Sequence, residues 1–62
     1  MAIISKLEQI DTAAFELIMF WQRNSKYKGW VIGRAKEAMH ELKPGEKIET
    51  YEDYQTIRKR RL

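Results

Sequence analysis

The fold is decided by residues 5–23, which read SKLEQIDTAAFELIMFWQR. Ser5 and Glu8 have the spacing of a capping box, in which a hydroxyl and a carboxylate satisfy free amides at a helix start. Apolar side chains at alternating spacings of four and three mark one helix face, and they are Ile3, Leu7, Ile10, Ala14, Leu17 and Trp21. This pattern predicts a helix over residues 5–23, with a break near Asp11 and Thr12 as the alternative.

Two shorter helices are predicted to pack on the first. The four-three spacing returns over residues 30–43, in Val31, Ala35, Ala38 and Leu42. Residues 50–61 form the third segment, with acidic residues in its first turn and basic residues in its last, which complements the helix dipole. We therefore predict a compact all-α domain of three helices over residues 1–62, with a basic end at 58–62 that frays.

Gly33 opens an alternative for the second segment. A glycine inside a helix costs about 1 kcal/mol relative to alanine, so the helix could begin only after it. Residues 29–32 and 47–49 would then pair as a short two-stranded ribbon in an α+β fold. The core face of that ribbon would consist of Trp30, Ile32 and Ile48.

Composition narrows the possible functions. The 62-residue chain carries a net charge of +3, one His and no Cys. A chain of this length predicts one domain, and the lack of Cys excludes disulfides and thiolate metal sites. Glu37 and His40 have an E-x-x-H spacing, but no second His completes a metal site. We expect no catalytic residue, no cofactor, no metal and no small-molecule substrate, and therefore no enzyme.

Hydropathy argues against a membrane protein. The longest apolar run is the five residues from Leu17 to Trp21, whereas a helix needs about 20 to span a bilayer. The N-terminal residues lack the basic region and long apolar stretch of a secretory leader. We therefore expect a cytoplasmic protein with no membrane partner.

Residues 23–30, RNSKYKGW, alternate basic and aromatic side chains. Lysine and arginine neutralise phosphates, and aromatic rings stack on bases. Four adjacent basic residues, 58–61, add a second cationic segment. These features predict a small DNA- or RNA-binding regulator that uses Lys26, Tyr27, Lys28, Trp30, Arg34, Arg58, Lys59, Arg60 and Arg61. The alternative is a solvated loop whose aromatic rings fold back onto the core, with a tail that only stabilises its helix.

A second hypothesis is a protein-interaction module. Between Ala14 and Trp21 only Glu16 is polar, and a helix that is apolar all round is normally buried all round. Two short helices cannot cover it, so a homodimer or a host-protein partner would bind Phe15, Met19, Phe20 and Trp21. In the alternative, the other helices wrap this one and Phe20 is merely exposed. Small size alone favours a regulator of prokaryotic or phage type for either hypothesis.

Overall fold

The computed structural model describes residues 5–60, which form an all-α fold as predicted. Three α-helices and one 3₁₀ helix follow in order: α1 Lys6–Arg23, the 3₁₀ helix Ser25–Trp30, α2 Gly33–His40 and α3 Tyr51–Lys59. Within that range the backbone forms no strand. None of the helices in residues 5–60 has both the length and the apolarity to cross a bilayer.

Helix α1 has the predicted bounds. The Ser5 hydroxyl accepts a hydrogen bond from the Glu8 N–H at 3.1 Å and caps its start. The helix continues through Asp11 without a break. It ends at Arg23 because Asn24 turns extended, with φ of −145°, and its side chain accepts from the Lys26 N–H to begin the 3₁₀ helix.

Helix α2 is shorter than predicted. It spans Gly33–His40 instead of residues 30–43, and Trp30 belongs to the 3₁₀ helix. Gly33 adopts a φ of +58°, a left-handed conformation that cannot lie inside a right-handed helix begun at residue 30. At the other end, Leu42 N–H bonds to the carbonyl of Met39, three residues back, which tightens the last turn and stops the helix.

The alternative ribbon is wrong, because a side chain takes the backbone groups that a partner strand would need. The Gln22 amide donates to the Ile48 carbonyl at 2.7 Å and accepts from the Ile48 N–H at 3.0 Å. Val31 N–H bonds instead to the carbonyl of Lys28. Of the proposed ribbon core, Ile48 is fully buried, but Trp30 and Ile32 face solvent.

Helix α3 begins at the predicted cap. The Thr50 hydroxyl accepts from the Asp53 N–H, and the Asp53 carboxylate accepts from the Thr50 N–H. Backbone hydrogen bonds from Glu49 and Thr50 lower the pKa of Asp53 below its ordinary value. The helix ends at Lys59, whereas the prediction ran to Arg61, which lies outside the described residues.

The core lies where the middle of α1 meets the other elements. Its buried members are Ala14, Ile18, Val31, Ala35, Ala38, Ile48, Tyr54 and Ile57. The predicted seam on α1 is partly wrong: Ala14 is buried, as is Ile18 beside it, but Leu7 and Ile10 are more than half exposed. A helix of eight or nine residues is about 12–14 Å long and cannot cover the roughly 27 Å of α1. Ile3 lies outside the described residues.

A polar cluster joins all three α-helices beside this core. Asp11 on α1 accepts hydrogen bonds from the guanidinium of Arg34 on α2 and, at 2.8 Å, from the hydroxyl of Tyr54 on α3. Burial, reinforced by the hydrogen bond to Asp11, raises the pKa of Tyr54 to about 12. Arg34 is therefore bound to α1 by a charge-assisted hydrogen bond, the stronger kind.

Acid should weaken the contact between Arg60 and Glu46. Hydrogen bonds from the Arg60 guanidinium and then from the Lys43 N–H lower the pKa of Glu46 from 4.5 to about 2. Folding thus favours the carboxylate, so its contribution is complete above about pH 4.5 and is lost as the pH falls toward about 2. We expect the melting temperature, followed by circular dichroism, to fall less steeply over that range in Glu46→Gln than in the parent.

The matched control is Glu16→Gln, which removes an exposed carboxylate that forms no ion pair within residues 5–60. Its acid profile should follow the parent's. If the Glu46→Gln profile also runs parallel to the parent's, the ion pair with Arg60 does not govern acid stability.

Candidate functional site

The 3₁₀ helix sorts its side chains onto separate edges. Its repeat of three residues places side chains i and i+3 in line. Tyr27 and Trp30 share one edge, and their rings meet edge to face with centroids 4.6 Å apart. Ser25 and Lys28 share another, which lines a cleft of about 340 Å³ with Trp21, Leu42 and Lys47 among its other residues. The segment that the sequence suggested to be a loop is therefore an ordered 3₁₀ helix with an aromatic edge and a cationic edge.

Phe20 extends the aromatic edge onto α1. Its ring centroid lies 6.0 Å from that of Tyr27. Phe20 is 55% exposed and Trp30 is 64% exposed, while Tyr27 between them is half-buried. We call these three rings the aromatic row. Phe20 and Trp30 therefore expose large aromatic surfaces to solvent.

Cations flank the aromatic row. The Lys26 ammonium lies 5.7 Å from the centroid of the Tyr27 ring, within cation–π range. Arg23 precedes the 3₁₀ helix and Lys28 lies within it, and all three cations are exposed. None of the three forms an ion pair with a carboxylate in residues 5–60. Their charge therefore remains uncompensated beside the exposed rings.

The arginines of the predicted nucleic-acid site are placed differently. Arg34 binds Asp11, Arg58 binds Glu37 at 2.6 Å, and Arg60 binds Glu46 at 2.6 and 2.8 Å. Arg60 also donates to the Glu41 carbonyl. These three guanidinium groups tie helices and loops together, so their charge is already matched by protein groups.

The 3₁₀ helix carries one predicted basic segment, and the end of α3 carries the described part of the other. The 3₁₀ helix packs on α1, and it makes no contact with α3 in the described part of the chain. Lys59 is exposed on α3, and Arg61 lies outside the described residues. The structure thus brings together Lys26, Tyr27, Lys28 and Trp30 on one 3₁₀ helix, whereas Arg58 and Lys59 lie on a helix that does not contact it within residues 5–60.

The predicted protein interface is also divided. Phe15 packs edge to face against Tyr51 and Tyr54 on α3, with centroid distances of 5.7 and 6.5 Å. Met19 and Trp21 are half-buried and pack against the core cluster. Only Phe20 of the four is mainly exposed. At 100° per residue, these positions spread around α1, so they form no single docking face.

An apolar groove lies on another side of α1. It measures about 270 Å³ and is lined by Ile10, Ala13, Ala14, Leu17, Ile32, Gly33 and Arg34. Ile32 is 69% exposed and Ile10 is 51% exposed. Sequence reasoning missed this groove because Ile10 was assigned to the core. The available signal was the short length of the helices meant to cover it.

Within residues 5–60, no three His, Asp or Glu side chains gather closely enough to hold a metal ion. The Glu37 carboxylate of the E-x-x-H spacing is bound to Arg58. Comparison of the chain with protein-family models, curated proteins and solved structures finds no match. The chemistry of the exposed side chains therefore indicates what this protein binds.

The placement of Arg34 predicts a structural role. Arg34→Gln removes the ion pair and leaves the partly buried Asp11 carboxylate with less compensation, which should lower the free energy of unfolding by roughly 1–2 kcal/mol. Urea unfolding measures this change. Lys36→Gln, at an exposed position on the same helix, should change it little. An Arg34→Gln protein of unchanged stability would contradict the role of the cluster in joining the helices.

Proposed function

We propose that the protein is a small, non-enzymatic binder of single-stranded nucleic acid that acts through the 3₁₀ helix. The observation that carries the proposal is the aromatic row, Phe20, Tyr27 and Trp30, exposed beside cations that no carboxylate in residues 5–60 neutralises. Single strands are bound by this combination of stacking rings and a positive surface. The proposal fits a regulator that acts by occupying a strand.

The division of labour among the side chains follows from their chemistry. Trp30 has the most exposed ring of the row and is the stacking platform for a base. The ring of Tyr27 packs against the Trp30 ring through the edge-to-face contact and helps to hold it in place. Arg23, Lys26 and Lys28 bind backbone phosphates on either side, which gives affinity without sequence readout.

Single strands fit this surface better than a duplex. Bases within a duplex are already stacked on one another, whereas bases of a single strand can leave their neighbours and stack on protein rings. The 3₁₀ helix is only six residues long and begins directly after α1. It offers a short ridge for unstacked bases instead of a long helix for the major groove.

Removing the platform should cost binding without unfolding the protein. Trp30→Ala should weaken binding of a fluorescently labelled oligothymidylate by roughly 5- to 150-fold, since stacking is worth about 1–3 kcal/mol per base. Ile32→Ala, at a similarly exposed apolar position two residues later, is the matched control and should bind as the parent does. Fluorescence anisotropy measures affinity, and circular dichroism checks folding.

Salt should weaken the parent in proportion to three phosphate contacts. With a slope of about −0.7 per contact for a single strand, raising salt from about 50 to 200 mM should weaken binding by about 15- to 20-fold. Lys26→Gln should lower that slope, while Lys43→Gln, an exposed lysine outside the 3₁₀ helix, should not. Trp30→Ala that binds as tightly as the parent, or a parent that binds no strand at low salt, would refute the proposal.

A second candidate function is self-association through the apolar groove. Ile32 is 69% exposed at the groove, while the small side chain of Ala14, which also lines it, is buried. A patch that carries both a projection and a depression can pack against its own copy in an isologous dimer. We therefore propose a second copy of this chain as the occupant.

Sedimentation equilibrium distinguishes the two candidates. Self-association through the groove predicts a dimer mass for the parent and a monomer mass for Ile10→Asp, with Trp30→Ala still dimeric. Glu16→Asp on the same helix is a control that should leave the mass unchanged. A monomeric parent at high micromolar concentration would reject the dimer and leave strand binding as the remaining candidate.

A further inference from the structure

A cleft of about 240 Å³ lies between the 3₁₀ helix and α2. It is lined by Lys28, Val31, Lys36, Met39 and His40. Val31 is buried and Met39 is half-buried, so they form an apolar floor. Lys28, Lys36 and His40 are exposed and form a rim of two ammonium groups and one imidazole.

Two elements bring these three rim groups together. Lys36 and His40 are four residues apart on α2, so their side chains lie one above the other on one face. Lys28 lies on the edge of the 3₁₀ helix that continues to Val31, three residues later. The Val31 N–H bonds to the carbonyl of Lys28 and fixes the turn that joins these two residues.

Glu37 of α2 and Glu41, which follows the helix, lie near the basic end of α3 and do not line the cleft. The Glu37 carboxylate accepts from Arg58 at 2.6 Å. The Glu41 carbonyl accepts from Arg60, and the Glu41 charge helps to raise the pKa of Arg60 after the larger effect of Glu46. No carboxylate lines the cleft among the described residues. An anion entering it meets cations at the rim and no opposing charge.

We propose that this cleft binds the terminal phosphate of a nucleic-acid strand, with the attached nucleotide resting on Val31 and Met39. A terminal phosphate carries about −1.5 to −2 charges at neutral pH, whereas each internal phosphodiester carries one. Two lysine ammonium groups and an imidazole N–H donor match the larger charge and its additional oxygen better than they match an internal link. The inference rests on the proposed function, because Lys28 also borders the strand-binding 3₁₀ helix.

The geometry links the two sites through the 3₁₀ helix. Its aromatic edge carries Tyr27 and Trp30, and its cationic edge carries Lys28. Bases next to the strand end stack on the aromatic edge while the end itself enters the cleft. The protein then distinguishes a phosphorylated end from a hydroxyl end, a property that the aromatic row alone cannot provide.

Three labelled oligothymidylates of equal length test the inference: one with a 5′-phosphate, one with a 3′-phosphate and one with hydroxyl ends. We expect one phosphorylated strand to bind on the order of tenfold more tightly than the hydroxyl strand, as charge-assisted hydrogen bonds would give. Lys36→Gln and His40→Gln should each abolish that ratio and leave affinity for the hydroxyl strand unchanged. Lys43→Gln is the charge-matched control and should keep the ratio.

The outcomes distinguish failure of the terminal-phosphate cleft from failure of the proposed strand binding. Equal affinity for all three strands, with binding intact, overturns the terminal-phosphate cleft and leaves the strand binder standing. Trp30→Ala should weaken all three strands and preserve the ratio. If no strand binds but thymidine monophosphate shifts the NMR signals of Lys36, Met39 and His40, the cleft stands as a nucleotide site and the proposed function fails.

Discussion

The length of α1 relative to its partners governs this structure. Its 18 residues extend about 27 Å, whereas the eight residues of α2 and nine of α3 extend about 12 and 14 Å. The short helices therefore enclose only the middle of α1, where Ala14 and Ile18 are buried. Both ends keep apolar surface: Ile10 borders the groove, and Phe20 meets the 3₁₀ helix. Every candidate binding surface on α1 is a consequence of that mismatch.

A small core also explains how the charged residues are used. The core has only eight buried side chains in residues 5–60, so polar contacts between distant segments supplement it. Asp11 joins Arg34 and Tyr54, and Gln22 holds Ile48 by both of its backbone groups. Such contacts occupy basic side chains, among them Arg34, that the sequence alone suggests as phosphate ligands. The lysines of the 3₁₀ helix form no ion pair within residues 5–60, although Glu46 borders the same cleft as Lys28.

The 3₁₀ helix gives the candidate site its order. A flexible loop of the same composition would lose conformational entropy on binding, whereas a preformed ridge has already fixed its side chains. Asn24 starts this ridge with a side-chain cap, and Gly33 allows the chain to turn into α2 just after it. Aromatic and cationic groups then occupy different edges because of the three-residue repeat.

The sequence alone determined the elements that local interactions specify. Ser5 with Glu8 predicted the start of α1, and Thr50 with Asp53 predicted the start of α3, because cap hydrogen bonds join residues three apart. Lys26, Tyr27, Lys28 and Trp30 could be predicted as a group from the sequence, since their alternation lies in one short segment. The position of Phe20 beside Tyr27 was not predicted, because it arises only through the turn after α1.

Tertiary structure decided what depends on residues far apart in the chain. The sequence predicted Arg34 as a phosphate ligand. In the fold its guanidinium is bonded to Asp11, which lies 23 residues earlier in the chain. In the alternative ribbon Ile48 was a strand residue. In the fold its backbone is bonded to the side chain of Gln22, which lies 26 residues earlier in the chain. Which side of α1 is buried depended on where α2 and α3 end. Local periodicity identifies an apolar helix face, but only the lengths and positions of its partners determine how much of that face is covered.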